Sequence, residues 1–156
     1  MDKIQFQKVR EDVVVPQRAS EGAVGYDVYA SRFLDKTTRE PIGDLPMEIL
    51  PKDTVIIGIG IRMAVPFPYE CQVRPRGGLS LKYNISLPNS PGTVDPDFRG
   101  EVAVIIRNLS EEKFVVEKNM KIAQLVFAKV EIPEFEEVQE LSETKRGKDG
   151  FGSTGI

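Results

Sequence analysis

Short apolar runs rich in β-branched residues recur along the chain, and each is cut off by proline, glycine or a polar cluster. Val13-Val14-Val15 stops at Pro16. Val55-Ile56-Ile57-Gly58-Ile59-Gly60-Ile61 carries two glycines inside it, and Val102-Ala103-Val104-Ile105-Ile106 ends at the polar pair Arg107-Asn108. Phe114-Val115-Val116 gives way to the turn-like Glu117-Lys118-Asn119, and the stretch from Ile122 to Val130 alternates in part. Tyr69, Cys71 and Val73 share one face of a further strand. Apolar runs of this length bounded by turn residues predict strands, and no segment sustains a helical period. The pattern predicts an all-β barrel or sandwich with at most one short helix. Pro75 to Lys82 is the best helix candidate. It is a weak one, because interior glycines such as Gly77 and Gly78 cost about 0.5–1 kcal/mol each.

Two segments break this rhythm. Residues 32–53 are polar and contain proline, with little periodicity, which predicts an extended surface loop or hairpin. At the C-terminus, four glycines in the last ten residues disfavour a packed strand or helix. Two readings stand for that tail: a disordered end, or an arm that orders over an anion. Glycine backbone can turn several N–H groups into one concave nest, which gives the second reading its chemistry.

A length of 156 residues favours one domain. Hydrophobic content of 40% and charged content of 29% are ordinary for a folded protein. No apolar run approaches the roughly 18 residues of a membrane span, and the first residues do not resemble a secretory signal, so the expected compartment is the cytoplasm. Cys71 is the only cysteine, which excludes an intrachain disulfide and a thiolate metal cluster. The chain has no histidine. Ser-His-Asp and Cys-His catalysis and the usual zinc sites are therefore excluded. Acid–base work falls to carboxylates, Lys, Tyr or bound water. A net charge of −3 gives no footprint for a nucleic-acid polymer, although a local basic cluster can still hold a small anion.

Five short stretches then change the picture. They are Gly25-Tyr26-Asp27-Val28, Pro75-Arg76-Gly77-Gly78-Leu79-Ser80, and Gly92-Thr93-Val94-Asp95-Pro96-Asp97-Phe98-Arg99-Gly100. Lys121-Ile122-Ala123-Gln124-Leu125 follows, and the last runs from Arg146 to Gly155. In this order they are similar to the five motifs of the trimeric dUTPase family, approximately AGYDL, PRSGL, GVIDxDYRG, GxRIAQL and RGxGGFGSTG. Any one alone is weak; all five in sequence cover nearly the whole chain. The resemblance implies a jelly-roll-like, distorted β-barrel over residues 1–141 and a flexible glycine-rich arm over residues 142–156. It also implies a homotrimer with each active site built from three chains. The implied activity is hydrolysis of dUTP to dUMP and pyrophosphate with Mg2+.

The resemblance assigns roles residue by residue. Asp95 would hold and deprotonate the water that attacks the α-phosphorus, the work a carboxylate must do where histidine is absent. Read alone, Asp95 before Pro96 is a turn cap. Phe98 stands where the family usually has a tyrosine; its ring would pack under the deoxyribose and leave no room for a 2′-hydroxyl. Read alone, it is a core aromatic. Asn89 and Gly92 resemble the hairpin that would read the uracil edge, where a rigid hydrogen-bonding slot separates uracil from cytosine; read alone, the segment is a turn. Arg76, Gln124 and Arg146 would share the triphosphate, since guanidinium groups match phosphate oxygens in a bidentate way. Gly77, Gly78, Val94 and Gly152 complete the substrate-binding set. Phe151 would stack on the base, while Ser153 and Thr154 would hydrogen-bond the γ-phosphate. Asp27 would hold Mg2+ through water, with the phosphates as direct ligands.

Several positions depart from the family pattern. Gly77 replaces a serine whose hydroxyl contacts the phosphates, Asn119 stands where glycine is common, and Asp149 replaces a glycine in the arm. Residues 32–50 are longer than the usual connection. Two other functions share the architecture: a dCTP deaminase, and a non-catalytic β-trimer that binds nucleotide.

Overall fold

Proline and glycine divide the apolar runs into short strands, as their turn chemistry requires. The computed structural model describes residues 3–150. Its strands run β1 (Gln5–Lys8), β2 (Gln17–Arg18), β3 (Tyr26–Tyr29), β4 (Arg32–Leu34) and β5 (Pro41–Gly43). Then come β6 (Met47–Ile49), β7 (Thr54–Gly58), β8 (Ile61–Ala64), β9 (Tyr69–Arg74), the helix α1 (Gly77–Tyr83) and β10 (Ile85–Ser86). β11 (Gly92–Val94), β12 (Ala103–Asn108), β13 (Phe114–Val116) and β14 (Lys121–Lys129) follow.

One five-stranded sheet is ordered β10-β12-β7-β4-β5 and the other β11-β9-β14-β3-β2, with two-stranded ladders β1-β8 and β13-β6. The strand pairs are antiparallel and mostly join strands far apart in sequence, as the expected jelly-roll-like barrel requires. Alternation puts one face of each sheet into a common core. Val28, Cys71, Val73 and Leu125 enter it from one sheet, and Phe33, Ile57, Val104 and Ile106 from the other. Each such side chain contributes about 1.5–3 kcal/mol on burial. Burial also pushes the Cys71 thiol up to about 12, so at neutral pH it is inert.

Local differences from the sequence pattern have physical reasons. The helix starts at Gly77, so both glycines occupy its first turn and not its interior, where their cost would fall. Asn84 closes it in a left-handed conformation at φ 54, and Asn119 takes φ 61 in the β13–β14 turn. Residues 32–53 hold more order than a surface loop. Phe33 and Leu34 are 1% and 3% exposed, and β4 pairs with β7 inside the sheet. The expected hairpin is there as β4–β5, and β6 pairs with β13. Its tip is fixed by Asp35, which accepts from the N–H groups of Thr37 and Thr38 at 2.8 Å each; these bonds hold its carboxyl below the usual range. Val13 is buried yet belongs to no strand. β12 runs on through Asn108, which is fully buried and donates to the carbonyls of Ile49 and Glu112.

Gly58 at the end of β7 makes room for a carboxylate, and Gly60 in the β7–β8 turn makes room for Val13. A Cβ on Gly58 would lie 2.3 Å from Glu101 Oε1, and one on Gly60 (φ +73) would lie 2.3 Å from Val13 Cγ2. Glu101 Oε1 accepts from the Gly60 N–H at 2.7 Å, and Oε2 pairs with Arg32 Nη2 at 2.5 Å. This half-buried pair ties the start of β12 to β4 and to the β7–β8 turn.

Candidate active site

Three strands of one sheet place polar side chains in a row. Register pairs Asp27 of β3 with Gln124 of β14, and Gln124 with Arg74 of β9, so the three share a face. Gln124 is half-buried and held in place. Its Nε2 donates to the Pro75 carbonyl at 2.9 Å, and its Oε1 lies where a Cβ on Gly25 would stand, 2.1 Å away. A side chain at position 25 would displace the amide from this position.

Asp27 is buried, 8% exposed. Its Oδ1 accepts from Arg76 Nε at 3.0 Å, and Arg76 Nη1 donates to the Lys121 carbonyl at 3.3 Å. Lys121 Nζ lies 2.9 Å from Oδ2, an ion pair that lacks hydrogen-bond alignment, so Oδ2 is a buried oxygen with no aligned donor. Arg76 also caps α1 through its carbonyl, which accepts from Leu79 and Ser80. The N–H groups of Gly77 and Gly78 belong to the helix's first turn and have no intrahelical partner. A Cβ on either glycine would meet nothing within 4 Å.

The third stretch forms a separate cleft of about 600 Å³, lined in part by Asn89, Gly92, Val94, Asp95, Phe98 and Glu101. Two glycines seat its side chains. A Cβ on Gly92 would lie 2.9 Å from Asn89 Nδ2, and one on Gly100 would lie 2.6 Å from Phe98 Cζ. The Phe98 ring therefore rests on Gly100 and is 42% exposed, which is not the setting of a core aromatic. Val94 is buried beside Cys71, its Cα partner on β9, so what it offers a ligand is backbone. Asp95 is exposed. Its carbonyl accepts from the Phe98 N–H at 3.2 Å, and among the described residues its carboxylate accepts no hydrogen bond. The carboxylate is not what closes the turn.

A family model for dUTPase matches residues 11–155. The chain belongs to the dUTPase family. Two curated relatives carry the name deoxyuridine 5'-triphosphate nucleotidohydrolase. One, from Fusobacterium nucleatum, is 43% identical over 99% of both chains; one from Chlamydia muridarum is 47% identical over 96% of this chain and 97% of its own. Among solved structures, a variant of the Staphylococcus bacteriophage 80alpha dUTPase with dUpNHpp aligns over 100% of both chains. Its TM-score is 0.81 at 20% identity. A phage phi11 dUTPase variant, described with a structural Mg(II) ion, aligns at TM-score 0.77 and 17% identity over 91% of this chain and all of its own. At such identities these two structures speak for the fold.

In this dUTPase-family chain the residues expected at the site fall into two groups. Asp27, Arg76 and Gln124 come together with Lys121. Asn89, Gly92, Val94, Asp95 and Phe98 come together in the cleft, and none of the first group lines it. Arg146 joins neither: it is exposed, and its Nε donates to the Asp149 carbonyl at 3.0 Å. Phe151, Gly152, Ser153 and Thr154 lie outside the described residues. Lys121, Gly25 and Gly100 are members of the five stretches whose roles sequence reasoning did not assign. Lys121 stands where the family pattern has arginine, which was the available signal.

Among the described residues no group of three or more His, Cys, Asp or Glu could hold a metal ion. Asp27 is the acidic group that fits one: a buried carboxylate oxygen without an aligned donor, beside cations suited to phosphate. Mg2+ commonly takes one or two carboxylates plus phosphates and waters, so this donor set is compatible with it. No helix among the described residues is long and apolar enough to cross a membrane.

Proposed function

We propose that this chain hydrolyses dUTP to dUMP and pyrophosphate as a homotrimer whose active sites are shared between chains. The observation that carries the reading is the split between the Asp95 cleft and the Asp27–Arg76–Gln124 cluster. Each is half of a nucleotide site, and a second copy is the natural source of the missing half. The barrel over residues 1–141 supplies both halves, and the arm over residues 142–156 supplies the lid.

In this reading Asn89 and the backbone at Gly92 and Val94 take the uracil edge, and Phe98 takes the deoxyribose. Arg76, Gln124 and the N–H groups of Gly77 and Gly78 bind the phosphate chain. Arg146, Phe151, Gly152, Ser153 and Thr154 close over it and exclude bulk water. Mg2+, held by the phosphates and by Asp27 through water, would supply charge neutralisation along the triphosphate. Asp95 accepts the proton of the attacking water as its oxygen bonds to the α-phosphorus. The bond from the α-phosphorus to the bridging oxygen breaks, and pyrophosphate departs with that electron pair.

The test is pyrophosphate release with dUTP, dCTP, dTTP and UTP side by side, with and without Mg2+. Release from dUTP alone, dependent on Mg2+, is the expected result. Ammonia from dCTP would indicate a deaminase, and binding without turnover a nucleotide-binding trimer.

Gly77 sets an expectation about rate. A serine hydroxyl there would give the phosphates one charge-assisted bond, a contribution of about 1.5–3 kcal/mol. The open space around Gly77 accommodates the side chain. If the bond tightens in the transition state, Gly77→Ser accelerates single-turnover hydrolysis at least about tenfold with little change in binding. Equal rates would show that the backbone alone fulfils the role.

A further inference from the structure

β14 does not run in simple register along β3. Lys121 pairs with Tyr29 and Ala123 with Val28, so one extra residue, Ile122, is accommodated between them. In unbroken alternation Lys121 would point to the face opposite Gln124. The bulge instead turns both Ile122 and Ala123 into the core, each 0% exposed, and re-aims Lys121 onto the face of Gln124 and Asp27. Its Nζ reaches 2.9 Å from Asp27 Oδ2 and lies 6.0 Å from the Tyr29 ring centroid. Its carbonyl meanwhile accepts from Arg76 Nη1. One residue thus contacts both a carboxylate and a guanidinium that the proposed function needs.

We propose that Lys121 is a positioning residue: its ammonium is the counter-ion that holds Asp27 Oδ2 in the free protein, and it yields that oxygen when the magnesium-bearing triphosphate arrives. The inference rests on the reading that Asp27 serves the magnesium. A buried carboxylate needs a compensating charge, and Arg76 engages only the other oxygen. A flexible, partly exposed lysine can supply that charge and then leave, turning to the phosphates, because its ammonium is a point charge on a rotatable stem. Its side chain is 40% exposed, against 11% for Asp27. The ion pair and the cation therefore compete for one oxygen.

The test is calorimetric binding of dUpNHpp across a magnesium titration, using the full chain and Lys121→Met, Lys121→Gln, Lys121→Arg and Asp27→Asn variants. Without the competing ammonium, Lys121→Met is expected to need about tenfold less magnesium for half-maximal enhancement of binding, since a like charge a few ångströms away opposes a divalent cation. Lys121→Gln should behave in the same way and serves if the Met variant does not fold. Lys121→Arg, which keeps a cation beside Asp27, should not show this gain. A magnesium dependence in Lys121→Met or Lys121→Gln equal to the parent's would overturn the proposal. If Asp27→Asn also keeps the parent's dependence, the magnesium reading of Asp27 itself fails. If only the Asp27 variant shifts, that reading stands and the role given to Lys121 does not.

Discussion

Asp95→Asn is expected to keep nucleotide binding while losing turnover by roughly 10²–10⁴-fold, the usual cost of removing a general base. The amide has nearly the shape of the carboxylate but cannot take a proton from water. The side chain is exposed and, among the described residues, accepts no hydrogen bond, so the change breaks no hydrogen bond of the fold. The seats on either side, Asn89 over Gly92 and Phe98 over Gly100, are untouched. Binding should be followed calorimetrically with dUpNHpp, and turnover by single-turnover hydrolysis of dUTP. Hydrolysis within about threefold of the parent would place Asp95 outside the mechanism.

Deleting residues 146–156 is expected to abolish activity and leave the barrel and its oligomer standing. Residues 146–149 are exposed, and their bonds are local: Arg146 with Asp149, and the Gly147 N–H with Thr144. Among the described residues no strand or helix lies between Val130 and Gly150, so the described part of the deleted segment pairs with no sheet. It removes Arg146 and the proposed lid together. Size-exclusion chromatography and a turnover assay on the truncated chain check the two halves. A monomeric or unfolded product would show that the tail is a structural strap.

The sequence made β12 and β14 legible because their apolar runs exceed what a turn can hold, and the three residues of β13 also stand where the pattern puts them. β1 and β2 are short and exposed on every residue, so they leave no burial signal to read. β4 was obscured for another reason, since its two buried residues are diluted by the polar tip that follows. The candidate site was legible through its motifs and not through periodicity. Its contacts join residues 49 apart, as with Arg76 and Asp27 or Gln124 and Pro75, and local pattern says nothing about such pairings. Lys121 was hidden by the bulge, because strict alternation assigns it the wrong face.

Glu101 has a consequence for how the proposed base is aimed. The span from Asp95 to Gly100 leaves β11 at Val94, which is paired with Cys71, and meets the scaffold again at Glu101, bound to Arg32 and to the Gly60 N–H. Both abutments are therefore fixed to different parts of the barrel, and the bridge between them is short. A turn from Asp95 to Phe98 and the Arg99 guanidinium on the Pro96 and Phe98 carbonyls stiffen it from within. The aim of the carboxylate is thus inherited from the relative placement of two sheets, and a change that shifts one sheet against the other reaches the chemistry without touching a residue that meets the nucleotide.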